Sequence, residues 1–147
     1  MLKQTIIIIA VTSLSVGVLL GHTPFQGSGV NRRISAPLPD LKIRQYVFSP
    51  GNDKAIRVRV VNTGAAGSSF CILRLTIRKI NGISVARVSE VKLSPLAAGK
   101  EKWFVIDAKN ILPNNISLES TTFKLNADAT SIVAESDESN NELWNNE

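Results

Sequence analysis

A chain of 147 residues is long enough for one domain with its own core and too short for two with a linker. Hydrophobic residues at 44% and charged residues at 20% exclude a wholly disordered polymer. A single cysteine and a single histidine exclude an internal disulfide framework, the multi-cysteine zinc, iron–sulfur and redox motifs, and a histidine metal cluster. The net charge of +5 hides a division along the chain. Residues 22–125 hold 16 Lys/Arg against 6 Asp/Glu, whereas residues 126–147 hold 6 acids and no base. A basic body can mark a partner with an anionic surface, but charged faces of a solvated sheet produce the same balance.

Lys3 is the only ionisable side chain before His22, and residues 5–21 are an uncharged, largely apolar run. A short positive start followed by such a run is the pattern of an export signal. As a helix it would rise about 26 Å, slightly less than the ~30 Å hydrocarbon core of a bilayer, so a cleaved signal and a retained anchor both fit. The four consecutive isoleucines Ile6–Ile9 give no amphipathic period and argue against a buried core helix. Residues 22–38 carry Pro24, Gly27, Gly29 and Pro37 without apolar periodicity, the composition of a flexible linker. His22 at the start of that linker is no catalytic candidate. Export places the body in an oxidising space, where the unpaired Cys71 is expected to be buried and inert.

From residue 39 the apolar period becomes two. Leu41 and Ile43 alternate with Lys42 and Arg44; Ile56, Val58 and Val60 with Arg57 and Arg59; Cys71, Leu73, Leu75 and Ile77 with Arg74, Thr76 and Arg78. Asn81-Gly82 between Ile80 and Ile83 signals a tight hairpin, because its turn needs positive φ at both positions. Val91 and Leu93, the run Trp103–Ile106, and Phe123, Leu125 and Ala127 supply further strands. About seven strands with one apolar face each predict an all-β, immunoglobulin-like antiparallel β-sandwich preceded by an N-terminal hydrophobic targeting helix. The inward residues are expected to be Ile56, Val58, Val60, Cys71, Leu73, Leu75, Ile77, Phe104, Phe123 and Leu125. The layout is a signal peptide or membrane anchor at 1–21, a linker at 22–38, the sandwich at 39–144 and a tail at 145–147.

Four segments occur in a telling order: Leu38-Pro39-Asp40-Leu41, Val60-Val61-Asn62-Thr63-Gly64, Leu96-Ala97-Ala98-Gly99, and Val133 through Asn141. In this the chain resembles the CARDB domain, a cell-adhesion-related module of bacteria and archaea. Its marks are a Pro-Asp-Leu opening, an Asn-x-Gly turn, a Leu-x-x-Gly turn and an ending near Glu-x-x-Glu-x-Asn-Asn, here Glu135, Glu138, Asn140 and Asn141. The stretch Asp107–Glu119 is longer and more polar than that pattern leads one to expect. The resemblance implies a non-enzymatic exported binding or adhesion module of the cell envelope, with a protein or glycan partner. An accessory or spacer subunit of an envelope complex, or a basic surface for anionic glycans, is the alternative. The compartment argues against nucleic acid, and membrane attachment would run through residues 5–21.

The acidic end is the one dense constellation of chemistry. Asp128, Glu135, Glu138 and Asn141 offer hard oxygen donors of the kind Ca²⁺ takes. The favoured reading is structural, with no cofactor: Asn140 and Asn141 hold a turn through backbone hydrogen bonds while the carboxylates face water. An EF-hand register from Asn126 fails at Ser131 and Asp137. Gly99-Lys100-Glu101 lacks the remainder of a phosphate-binding loop. Asn115-Ile116-Ser117 is a glycosylation sequon. Trp103 is expected at the core or its rim, and Trp144 closing one end.

Overall fold

The computed structural model describes residues 35–145. The expected targeting helix, and with it His22 and most of the linker, lies outside the described residues. Seven strands follow in chain order: β1 (Leu41–Ser49), β2 (Asn52–Asn62), β3 (Cys71–Ile80), β4 (Ile83–Leu93), β5 (Glu101–Asp107), β6 (Thr121–Asn126) and β7 (Glu142–Trp144), with one 3₁₀ turn at Leu118–Ser120. They form two sheets, β1-β2-β5 and β4-β3-β6-β7, in which every paired strand is antiparallel. No helix among the described residues is long and apolar enough to cross a membrane.

Local chemistry explains the elements. In β1 the alternation Leu41, Ile43 is interrupted by two adjacent polar residues, Arg44 and Gln45. A bulge between Ile43 and Gln45 absorbs the extra residue and returns Tyr46 and Phe48 to the inner face, opposite Val58 and Ile56. Without it every later side chain of β1 would face the wrong way. The β3–β4 hairpin closes through Asn81 (φ 50°) and Gly82 (φ 77°), as the Asn-Gly pair requires. β4 is an edge strand, and its outward Glu90 and Lys92, with Arg87 on the inner-face side opposite Ile77, discourage pairing with other chains.

All ten residues expected to point inward belong to one buried core drawn from both sheets, so the sheets pack face to face as a β-sandwich. Phe123 meets Tyr46 and Phe48 edge-on at 5.4 and 6.3 Å between ring centroids. The long polar stretch after β5 nevertheless buries Ala108, Leu112 and Leu118. Its backbone is held by Lys54 Nζ donating to Pro113 O (2.6 Å) and Arg87 donating to Ile111 O (2.7 Å). It closes the end of the sandwich where β2 begins. The other end of β2, at Asn62, carries the site described next.

Candidate functional site: an all-oxygen loop cluster

Asn62 is fully buried, and both ends of its amide are saturated. Its Oδ1 accepts from the backbone N–H of Asp40 and of Gly64, each at 3.0 Å. Its Nδ2 donates to Ala66 O (2.8 Å) and Leu96 O (2.9 Å). The Asn62 main chain adds bonds to Lys100 O and from Gly99 N. One side chain thus pins three loops. Gly64 has to be glycine for packing: a Cβ there would stand 2.4 Å from Leu38 O and Pro39 C.

The terminal loop docks on the same point. Ser136 N donates to Pro39 O at 2.9 Å. Asn140 Nδ2 donates to Asp40 Oδ1 (2.9 Å), whose Oδ2 accepts from Thr63 Oγ1 (2.7 Å). Glu135, buried although acidic, accepts the Leu41 N–H at one oxygen and Asn141 Nδ2 (3.4 Å) at the other. Burial pushes its carboxyl up to about 7; the Leu41 N–H opposes the rise, and Glu138, Asp128 and Asp40 add to it. Asp137, by contrast, is held below the usual carboxylate range by the hydroxyl and N–H of Ser139.

Asp128 is buried at φ 51°, and its two oxygens accept from Ile132 N (3.2 Å) and Val133 N (2.8 Å). Glu138 accepts the Glu135 N–H at 2.9 Å. The division of labour therefore differs from the one expected. In the terminal loop the carboxylates, not Asn140 and Asn141, bind backbone N–H groups, and the side chains of those two asparagines donate to carboxylates. The reason is electrostatic: an ionised carboxylate is the stronger acceptor for an orphan N–H, and a primary amide is the natural donor to what remains.

Asp128, Glu138 and Asn141, three of the four sequence candidates, line a concavity of about 410 Å³, together with Ser131 and with Asn126 and Glu142 from β6 and β7. The fourth, Glu135, is turned toward β1 and reaches the concavity only through Asn141. Asn126 and Glu142 were not legible as site residues, because each reads as an outward position of a strand. They stand opposite each other in the β6–β7 register. Among the described residues no three His, Cys, Asp or Glu side chains converge closely enough to hold a metal by themselves. The amide oxygens of Asn126 and Asn141, two residues of this lining, are buried and without a hydrogen-bond partner. A hard divalent cation fits that donor chemistry, which consists of oxygen alone.

Elsewhere, both tryptophans are half-buried on outer sheet faces rather than in the core or across one end. Trp103 lies under Arg57 (5.1 Å from guanidinium carbon to ring centroid) and Arg59 (5.9 Å), and Trp144 beside Lys124 (5.7 Å). Glu101, bound by Arg59 and 3.6 Å from Arg44, has its carboxyl held low by the Arg59 hydrogen bond. Asn115 of the sequon is exposed, and Cys71 is buried.

The four segments singled out in the sequence thus meet at one end of the sandwich, through Asn62, Asp40 and Glu135. The CARDB family profile matches residues 38–145. The chain belongs to the CARDB family. Among solved structures, a CARDB domain from Pyrococcus furiosus, crystallised in complex with di-metal ions, is similar at 21% identity and a TM-score of 0.51. The alignment covers 73% of this chain and 89% of that one, and it supports the fold. No curated protein matches. CARDB is a β-sandwich family not known for catalysis, and here its diagnostic residues serve as the knot that ties the first strand to the last.

Proposed function

We propose that this CARDB chain is a non-enzymatic, exported binding or adhesion module of a bacterial or archaeal cell envelope. Family membership over residues 38–145 carries the reading. The strand order supports an immunoglobulin-like scaffold: a three-stranded sheet of strands one, two and five faces a four-stranded sheet of strands four, three, six and seven. Such a scaffold presents faces and loops to a partner while its core does no chemistry. The single basic residue Lys3 and the apolar residues 5–21 support export, by cleavage or with retention as an anchor.

The outer face of β1-β2-β5 favours an anionic partner within that reading. Lys42, Arg44, Arg57 and Arg59 lie on it, around half-buried Trp103, with Val105 exposed and Glu101 the neighbouring acid. A guanidinium stacked on indole is pre-oriented for carboxylate or sulfate groups of a glycan, and the ring offers a stacking surface to a sugar. An alkaline phosphatase fusion after residue 40 is expected to be active, and a stably made, inactive fusion would overturn export. Glycan arrays and pull-downs from envelope extract then separate a glycan partner from a protein one. Retention of an acidic glycan, lost in R57A/R59A at unchanged melting temperature, is the expected result. A protein captured equally by wild type and R57A/R59A assigns the accessory-subunit role instead.

A further inference from the structure

The geometry points to a binding site for a single hard divalent cation of the Ca²⁺ class in the concavity between the end of β6, the Asp128–Ser131 turn and β7, with Asn126 Oδ1, Asn141 Oδ1 and Asp128 as its fixed donors and Glu138 and Glu142 as its closing carboxylates.

The argument starts from the orphaned oxygens. Asn141 is 94% buried (6% exposed), lines the concavity, and its Oδ1 has no partner. Asn126 Oδ1 is likewise buried and unpartnered on the same wall. A buried amide oxygen without a partner carries a desolvation cost that natural proteins rarely leave uncompensated. Turning the amides over does not remove it. Asn141 Nδ2 is held by Glu135 Oε1, and Asn126 Nδ2 by Glu142 Oε1 at 3.0 Å. A flipped amide would set its oxygen against a carboxylate oxygen and strand two N–H donors instead. Each orphan oxygen therefore stays an oxygen in the wall of the concavity, because a carboxylate grips the other end of its amide.

The surroundings match. Asp128 is buried beside these oxygens, and its oxygens, each already accepting one N–H, keep lone pairs for a cation. Glu138 and Glu142 are exposed side chains on the rim: Glu138 can turn over the concavity without repacking the core, and Glu142 offers its second oxygen while Oε1 stays on Asn126 and Lys124. The local base, Lys124, is engaged with Glu142 at 2.6 Å, leaving the wall anionic. No nitrogen or sulfur ligand lines the concavity, which disfavours zinc and copper. Exposed rim carboxylates plus neutral amide oxygens suit the variable coordination of calcium better than the strict octahedron of magnesium. With part of the donor set neutral, affinity belongs in the weak class of extracellular modules, about 10⁻⁴–10⁻³ M. The inference does not depend on the partner proposed above, because it uses none of the basic face.

The test uses the full-length protein at mildly alkaline pH. Calcium is titrated against EDTA controls, with the melting temperature and the ¹H–¹⁵N side-chain amide signals of Asn126 and Asn141 as readouts. Millimolar calcium is expected to raise the melting temperature by several degrees and to shift both amide signals in one saturable step. N126A and E138Q, which leave the Glu135–Leu41 and Asp128 contacts in place, are expected to weaken the calcium midpoint about tenfold each. E138Q still offers an acceptor to the Glu135 N–H and serves if N126A folds poorly. A melting temperature indifferent to calcium, amide shifts confined to other residues, or unchanged midpoints in folded variants would overturn the site.

Discussion

At the scale of the residue, Asn62 and Glu135 show how a polar group earns a place in an apolar fold. Asn62 uses both donors and both acceptor lone pairs of its side chain on buried or half-buried backbone groups. Asn62→Ala strands two N–H groups and two carbonyls, and should cost about 3 kcal/mol or more in urea unfolding. Asn62→Asp keeps the two accepted bonds but turns a carboxylate oxygen toward Ala66 O and Leu96 O, so it should be no better despite its identical shape. A mild N62D would show that the amide donors matter little. Glu135 gives a pH signature instead. Its carboxyl titrates near 7 in the fold against 4.5 when free, so the folded state binds the extra proton between those values. Its contribution is then fully present below about pH 4.5 and is lost as pH rises through about 7. Asp137 and Glu101, both shifted down, act oppositely and only as pH falls into the acid range. In EDTA, the urea midpoint should therefore decline between about pH 5 and pH 8, and Glu135→Gln should flatten that decline. An equal decline in both proteins would assign it to another group.

At the scale of the element, what was legible depended on how far the deciding contacts lie from each other in the chain. The strands β2, β3 and β6 were readable because burial alternates with position, and the hairpin because Asn81-Gly82 encodes its own backbone geometry. Gly82→Ala, at φ 77° with open space around it, should cost about 1 kcal/mol through backbone conformation alone. Gly64→Ala should cost more, because its Cβ strikes backbone that the Asn62 bonds prevent from moving. Comparing the two by thermal melts separates conformational from steric demand, and equal losses would contradict the close approach seen at Leu38 and Pro39. β4 was only partly legible, since as an edge strand it buries little besides Leu93 and so leaves a weak period. The loop cluster was visible as composition but not as wiring. Nothing local in Asn62 tells that its partners lie 22 and 34 residues away, and nothing in Asn126 or Glu142 separates a strand's outer face from the wall of a concavity.

At the scale of the whole molecule, the first and last described strands sit in different sheets, and the terminal loop joins them through Glu135–Leu41, Ser136–Pro39 and Asn140–Asp40. A sandwich closed in this way should open as one unit, because freeing either terminal segment exposes acids and amides that hold the other. Cys71 reports on this directly. It is 3% exposed at the start of β3, opposite Leu93, and burial with the nearby Asp128 carboxylate pushes its thiol up to about 12. Alkylation needs both access and a thiolate, and the folded chain offers neither. The labelling rate should therefore be negligible in buffer and should rise with urea along the same slope as the global transition followed by fluorescence. Asn62→Ala should raise the rate in buffer by about the factor its lost stability implies, roughly a hundredfold for 3 kcal/mol when reclosing outpaces labelling. Labelling with little dependence on urea would mean that the Cys71 end opens by itself, and that the bonds linking the terminal loop to β1 do not make the domain cooperative.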